Sequence, residues 1–414
     1  MWQTCCMAKD VHPPRRMRDF LPLEKTRRDQ VLTTIRETYL GHGFQEIETP
    51  ALEDLERLTS GQGGDNEKLA FRVMKRGEEL ERSLEANTDG DNLADLSLRY
   101  DLTVPLTRYY ATNRAKLPKV FKAIQTGPVW RAERPQKGRY RQFVQCDIDI
   151  IGDSTELAEV ELLNASLDAL AAIGLADATI RVNHRSLLTA NISALGVSED
   201  QAASAMITID KLDKLGIDGV AAEVETKFGP SAAAKAGEWL RSIEGDLHVP
   251  AELANLFAIV GARHPGKLRF DPTLVRGMGY YTGQIFEIEH PESGSSIGGG
   301  GRYDGMVGRW LGTDVPAVGI SIGFERAVDL VGDDLLGSPE GIVLVVDEDS
   351  AALANALTVQ AELIESGEPS VRLERRPKKL NLLLENLATQ GFGRFAFVSS
   401  VTNSVADLQI KDIA

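Results

Sequence analysis

The chain has 414 residues, 43% hydrophobic and 26% charged. At about 100 to 200 residues per domain, this predicts two or three globular domains and excludes a fibrous or disordered chain. No apolar run reaches the roughly 18 residues that cross a bilayer, and the opening MWQTCCMAKDVHPPRR lacks both the basic and the apolar region of a secretory signal. The three cysteines, Cys5, Cys6 and Cys146, have no metal-ligand spacing, so free thiols and a cytoplasmic location are expected. The formal charge of −15 disfavours a phosphate backbone as partner. The charge is unevenly spread, however: Leu102 to Cys146 carries ten basic residues against one acid, Glu133, a local +9 that leaves −24 elsewhere. That concentration points to a polyanionic ligand, with a solvated basic face as the alternative.

In chain order, Glu24 to Gly41 has apolar positions at helical spacing (Val31, Ile35, Leu40) and a glycine stop, which predicts an amphipathic helix. A strand and turn follow through Ile47 and Pro50. The segment LSLRYDLTV alternates, which predicts a strand with Arg99, Asp101 and Thr103 on one face, two acceptors converging with a cation. GPVWRAERPQKGRYRQFVQCDIDIIG reads as a long hairpin. On its return strand Val144, Cys146, Ile148 and Ile150 share an apolar face, while Phe143, Gln145, Asp147 and Asp149 share the other, turned to a site or to solvent.

Ser154 to Ile173 is helical in pattern, Ala178 to Val182 strand-like, and Ser186 to about Ile259 alanine-rich and helical, the pattern of an insertion. Gln284 to Glu289 reads as a strand, Gly298 to Gly301 as a glycine turn, and VPAVGISIGFERAVDL as a buried strand running into a helix at Gly323. After GDDLLGSPE, strand and helix alternate as in an α/β module.

Walker A and dinucleotide-type GxGxxG motifs are absent, and the six histidines have no HExxH-like spacing. What remains is a set of strand-borne arginines and carboxylates, suited to positioning and electrostatic catalysis at a phosphate centre.

PPRRMRDFLP, LSLRYDLTVPLTRYYA, the hairpin segment, TIDKLDKLG, LVRGMGYYTG, GGRYDGMVGRWLG and VPAVGISIGFER occur in the order of the histidyl-tRNA synthetases, which the chain resembles over residues 13 to 333 and more weakly beyond. The resemblance implies an α+β fold: a class II synthetase antiparallel sheet core with flanking helices over 1–333, interrupted by a helical insertion at about 185–260. A small α/β anticodon-binding-like domain, shortened at its C-terminus, would occupy 341–414. GFQEIETPALEDLERL, around Pro50, would form a homodimer interface. The implied activity is ATP-dependent activation of L-histidine to histidyl-adenylate and transfer to histidine tRNA.

By the same resemblance, Arg131 and Arg276 meet the α-phosphate and are the catalytic pair, while Glu133 and Arg326 complete the ATP site. Guanidinium groups suit the charge that builds on phosphate oxygens, because they stay ionised and donate in a fork. Asp101, Thr103 and Gln145 would receive the α-amino group, Asp149 and Tyr281 would read the imidazole nitrogens, Tyr280 would line the wall, and Gly298 to Gly301 would form the pocket floor. Mg²⁺ would come with ATP, bridging phosphate oxygens without a dedicated protein metal site.

Gln136 and Arg139 would approach the tRNA acceptor end. Relatives often carry Glu at the positions of Asp101 and Asp149, and glycine at that of Arg16; Gly279 replaces an acidic or small polar residue. In the C-terminal segment Arg372, Arg375, Arg376, Lys378 and Lys379 form a basic cluster, either an anticodon contact or a solvated loop. A rival reading is the synthetase-like regulatory subunit of ATP phosphoribosyltransferase, which shares the fold without charging tRNA.

Overall fold

A computed structural model describes residues 11–59, 68–86, 90–132, 140–243, 245, 247–276, 280–332 and 341–413. The chain divides into two compact units, Met1–Asp19 with Val31–Val331, and Phe20–Gln30 with Gly332–Ala414.

The helix α1 (Pro22–Gly41) is followed by β1 (Gln45–Glu46), β2 (Leu52–Asp54), α2 (Leu55–Leu58), β3 (Phe71–Met74), α3 (Glu78–Glu85), β4 (Ala94–Leu98) and α4 (Thr103–Asn113). The hairpin is β5 (Phe121–Trp130) and β6 (Gln142–Ile151), after which come α5 (Leu157–Ala172) and β7 (Thr179–His184). Between β7 and the next strand come α6 (Arg185–Ala194), α7 (Ala202–Ile209), α8 (Leu212–Phe228) and α9 (Pro230–Ser242), the helical insertion, and then α10 (Ala251–Arg263), which packs back on α5 and β7. The first unit closes with β8 (Leu268–Phe270), β9 (Gln284–Glu289), β10 (Gly298–Arg302), α11 (Asp304–Leu311), β11 (Ala317–Gly323) and α12 (Phe324–Leu330).

Eight strands form one sheet in the order β1-β5-β6-β11-β10-β9-β7-β8. Pairing is antiparallel except where β1 meets β5 and β7 meets β8. Because paired residues share a face, the registers define rows across the sheet. One row runs Gln125, Asp147, Ser321, Gly299, Glu287, Arg181, and the next runs Ala123, Asp149, Gly319, Gly301, Ile285, Asn183. The polar face of β6 thus continues across five neighbours. The opposite parity, Cys146, Ile148 and Ile150, is fully buried.

Three expectations for this unit are corrected. LSLRYDLTV is not one strand: β4 ends at Leu98 and Thr103 opens α4. Asp101 is the cause, since its Oδ1 accepts the Val104 N–H at 3.2 Å and satisfies the first turn of the helix. Nor does Arg99 converge on Asp101 and Thr103. It is buried and donates to the carbonyls of Thr49 (2.6 Å), Pro50 (3.3 Å) and Pro128 (3.0 Å), fastening the segment around Pro50. The Gly298–Gly301 run is also no turn but a strand inside the sheet, between β9 and β11.

The insertion has its own core, in which Ala205, Ala232 and Ala236 let helices approach around Leu188, Ile192, Met206, Ile209, Val220, Val224 and Leu240. In the second unit β12 (Gly341–Val346), α13 (Ser350–Glu365), β13 (Val371–Arg375), α14 (Leu380–Ala388), β14 (Phe392–Val398) and β15 (Lys411–Asp412) form a sheet ordered β13-β12-β14-β15. Its central strand is apolar throughout because both faces are covered: Ile342, Leu344 and Val346 pack on α13, Val343 and Val345 on α14. The basic cluster of this unit is largely paired, Arg372 with Glu374, Arg375 with Glu348 and Arg376 with Asp347. Among the described residues no helix is long and apolar enough to cross a membrane.

Arg16 is the one described non-glycine residue at positive φ, 65°. A Cβ in that region crowds the carbonyl and costs about 1–2 kcal/mol, which explains why glycine suits the position. Its carbonyl accepts the Arg141 N–H at 2.9 Å, so the turn docks the segment onto the hairpin, while its side chain is exposed. Arg16→Gly should therefore raise unfolding free energy by about 0.5–1 kcal/mol, the relief less the extra freedom of glycine in the unfolded chain. Urea denaturation measures it; a lowered midpoint would remove the strain argument.

Candidate active site

A cavity of about 620 Å³ opens on the polar face of the large sheet. Its lining includes Asp101, Thr103, Arg131, Gln145, Asp149, Arg276, Tyr280, Tyr281 and Arg326, every site residue expected from sequence that lies among the described ones. Glu133, Gln136 and Arg139 lie outside the described residues, as does Gly279.

Asp101 is 1% exposed. Its Oδ1 is used by Val104, while its Oδ2 is buried without a hydrogen-bond partner. Burial pushes this carboxyl up to about 6, against the pull of the Val104 N–H and of Arg131. Gln145 Nε2 faces Ser321 Oγ at 3.3 Å and Asp147 at 3.4 Å, which leaves Oε1 as a second buried, unpartnered acceptor. A buried polar atom without a partner costs about 1–3 kcal/mol, so these two acceptors together are a site for a donor-rich cation such as an ammonium.

Asp149 is held differently. The hydroxyl of Tyr303 donates to its Oδ1 at 2.5 Å, and burial pushes the carboxyl up to about 7, opposed by Tyr303 and reinforced by the charge of Asp101. Asp147, one row away, is raised well above the carboxylate range by burial and then by Asp149. The space for Asp149 exists because its cross-strand partner is glycine: a Cβ on Gly319 would stand 1.9 Å from Asp149 Oδ1. Gly319→Ala must evict the carboxylate, and we expect a fall in affinity of about 10-fold or more for the ligand it reads, as losing a charged hydrogen bond costs about 1.5–3 kcal/mol. Isothermal calorimetry checks this; unchanged affinity would mean that Asp149 reads nothing.

The aromatic wall is Tyr280 and Tyr281, ring centroids 4.7 Å apart, with Tyr303 edge-on to Tyr280 at 6.0 Å. Among the cations, Arg131 donates from Nε to the Tyr100 carbonyl at 2.9 Å and lies 5.0 Å over the Phe143 ring. Arg276 pairs with Glu287 at 2.9 Å, and its Nε is buried without a partner. A Cβ on Gly299 would come within 2.9 Å of its guanidinium carbon, so the glycine strand leaves the space this side chain fills. Arg326 donates to the Ser296 carbonyl.

Sequence reading placed Asp147 on the polar face of the hairpin without a role, and missed Tyr303, Ser321 and Glu325. Tyr303 and Glu325 lay inside quoted motifs, GGRYDG and GFER, without an assigned role. Glu325 Oε1 accepts the Val144 N–H at 3.1 Å and its other oxygen pairs with Arg18, whose guanidinium sits 3.6 Å over Tyr140. Arg302 of the same GGRYDG is structural, forked onto buried Glu159 at 2.5 and 2.7 Å.

This mostly antiparallel sheet, with arginines and carboxylates of one cavity carried by a long hairpin and by a strand that turns directly into a helix, is the catalytic fold of a class II aminoacyl-tRNA synthetase. The family model described as histidyl-tRNA synthetase matches residues 16–327. The chain belongs to the histidyl-tRNA synthetase family. It is 51% identical over 432 aligned positions to a histidine-tRNA ligase of Leifsonia xyli subsp. xyli, covering 98% of this chain and 99% of that protein. The crystal structure of histidyl-tRNA synthetase from Nostoc sp. PCC 7120 matches with a TM-score of 0.75 at 26% identity, over 98% of this chain and 95% of that one. A structure from Bacillus halodurans described as an ATP phosphoribosyltransferase regulatory subunit/histidyl-tRNA synthetase matches with a TM-score of 0.72 over 95% of this chain and 99% of that one. At 20% identity that likeness speaks for the fold alone.

Proposed function

We propose that the protein is a cytoplasmic, homodimeric histidine-tRNA ligase, which activates L-histidine with ATP to histidyl-adenylate and transfers the histidyl group to the 3′ end of histidine tRNA. The observation that carries this reading is the pairing, in one cavity, of two buried unpartnered acceptors (Asp101 Oδ2 and Gln145 Oε1) with a Tyr303-held carboxylate and three arginines.

In this mechanism Asp101, Gln145 and Thr103 take the ammonium of histidine. Asp149 accepts the imidazole N–H, with Tyr281 at the second ring nitrogen. The substrate carboxylate then attacks the α-phosphorus of ATP, and pyrophosphate leaves. Arg131 and Arg276 stabilise the charge that builds on the α-phosphate oxygens, and Arg326 holds the γ-phosphate. Magnesium accompanying ATP would neutralise part of the phosphate charge, with no protein residue assigned to hold it. No protein nucleophile is needed. Glu133 with ATP, and Gln136 and Arg139 with the tRNA acceptor end, complete the assignment. The C-terminal unit is read as anticodon-binding, although Arg372, Arg375 and Arg376 are already engaged by acids.

The regulatory-subunit reading rests on fold likeness alone and does not call for this donor and acceptor set. The test is charging: with ATP, magnesium and labelled histidine, a histidine tRNA transcript should become acid-precipitably labelled. Histidine activation without charging would reduce the protein to a tRNA-independent activator.

A further inference from the structure

We propose that Glu287 is a positioning residue for adenylate formation: it holds the Arg276 guanidinium at the reacting phosphate and is itself held by Arg181. This deepens the function proposed above and rests on it.

Glu287 lies on β9, one row position from Gly299 on one side and Arg181 on the other. Its Oε2 accepts from Arg276 Nη1 at 2.9 Å, and its Oε1 accepts from Arg181 Nη1 at 3.2 Å. The carboxylate is thus fixed at both oxygens between two cations. Arg181 is 7% exposed and further anchored by Asp271 at 2.6 Å and Glu289 at 3.0 Å. Its remaining partner, Asp213 at 3.2 Å, comes from α8, so the helical insertion holds the far end of the same chain of charges.

Arg276, by contrast, has no strand to orient it. It follows β8 in the segment before the tyrosine pair, and its side chain crosses to Gly299, where only the absence of a Cβ admits it. The ion pair to Glu287 is what aims this guanidinium. A misplacement of about 1 Å in a charge-stabilising group costs on the order of 100-fold in rate.

The experiment uses the full chain in histidine-dependent ATP–pyrophosphate exchange, with histidine binding measured separately by calorimetry. Glu287→Gln keeps size and shape but loses the charge. Its kcat should fall about 10- to 100-fold, with the histidine Kd within about twofold of wild type, a split that general unfolding would not give. Glu289→Gln removes an equivalent partner of Arg181 without touching Arg276, and should leave kcat within about twofold. If Glu287→Gln does not yield folded protein, Glu287→Asp, which retains the charge and withdraws it by one methylene, carries the test with an expected loss of roughly threefold or more. Wild-type kcat in the Glu287 variant, or an equal loss in Glu289→Gln, overturns the proposal. Absence of exchange in the wild type would instead strike the proposed function itself.

Discussion

Arg276→Ala is expected to lower histidine-dependent ATP–pyrophosphate exchange by about 10³-fold or more while leaving the protein folded and able to bind histidine. The size follows from what the guanidinium does. Removing a single preorganised donor from a site of developing charge costs about 10²–10³ in kcat, and arginines at transferring phosphoryl groups reach 10³–10⁵. Burial works against the charge of Arg276, but Tyr281 and Glu287 more than offset it, so the group stays a cation throughout the accessible pH range. Its loss leaves Glu287 with Arg181 as partner, so no uncompensated carboxylate remains. Circular dichroism and histidine calorimetry should match wild type. Exchange within tenfold of wild type would take Arg276 out of the reaction.

Asp149→Asn should separate stability from activity. The amide keeps an oxygen for the Tyr303 hydroxyl but presents no charge to an imidazole N–H. The kcat/KM for histidine should fall about 10- to 150-fold, the equivalent of about 1.5–3 kcal/mol for a hydrogen bond to a charged group. Stability should move the other way. The folded pKa of Asp149, about 7, lies above its ordinary value. What it contributes to stability is therefore complete below about pH 4 and lost as pH rises through 7, because the unfolded chain releases its proton first. At pH 8 the ligand-free wild type carries this cost in full. The variant does not, so its Tm should exceed wild type by about 2 °C or more, with a smaller difference at pH 5. A variant that is less stable at pH 8 would contradict the buried-charge account.

The alternation of QFVQCDIDII and VPAVGISIG was enough to name the face on which Gln145 and Asp149 lie, because strand parity is a local property. It could not supply Tyr303, which stands 154 positions from Asp149 and reaches it only through the order in which β6, β11 and β10 pair. Local pattern also misled in two places. RYDLTV alternates as a strand does, yet Asp101 spends one oxygen on the turn that starts α4. Four glycines read as a turn, yet they form β10 because β9 and β11 pair with them on either side, and Gly299 within that strand leaves the space Arg276 fills, a tertiary arrangement no window of sequence contains. Arg16 shows the converse. Its departure from glycine was visible in sequence, and the positive φ supplies the physical reason that glycine suits the position.

The most direct measurement of the central claim is ATP–pyrophosphate exchange by the purified chain with each of the twenty amino acids in turn and no tRNA. Exchange with histidine alone is the predicted result. Exchange with another amino acid, or none with any while calorimetry shows histidine bound, would contradict it and turn the reading to the regulatory subunit.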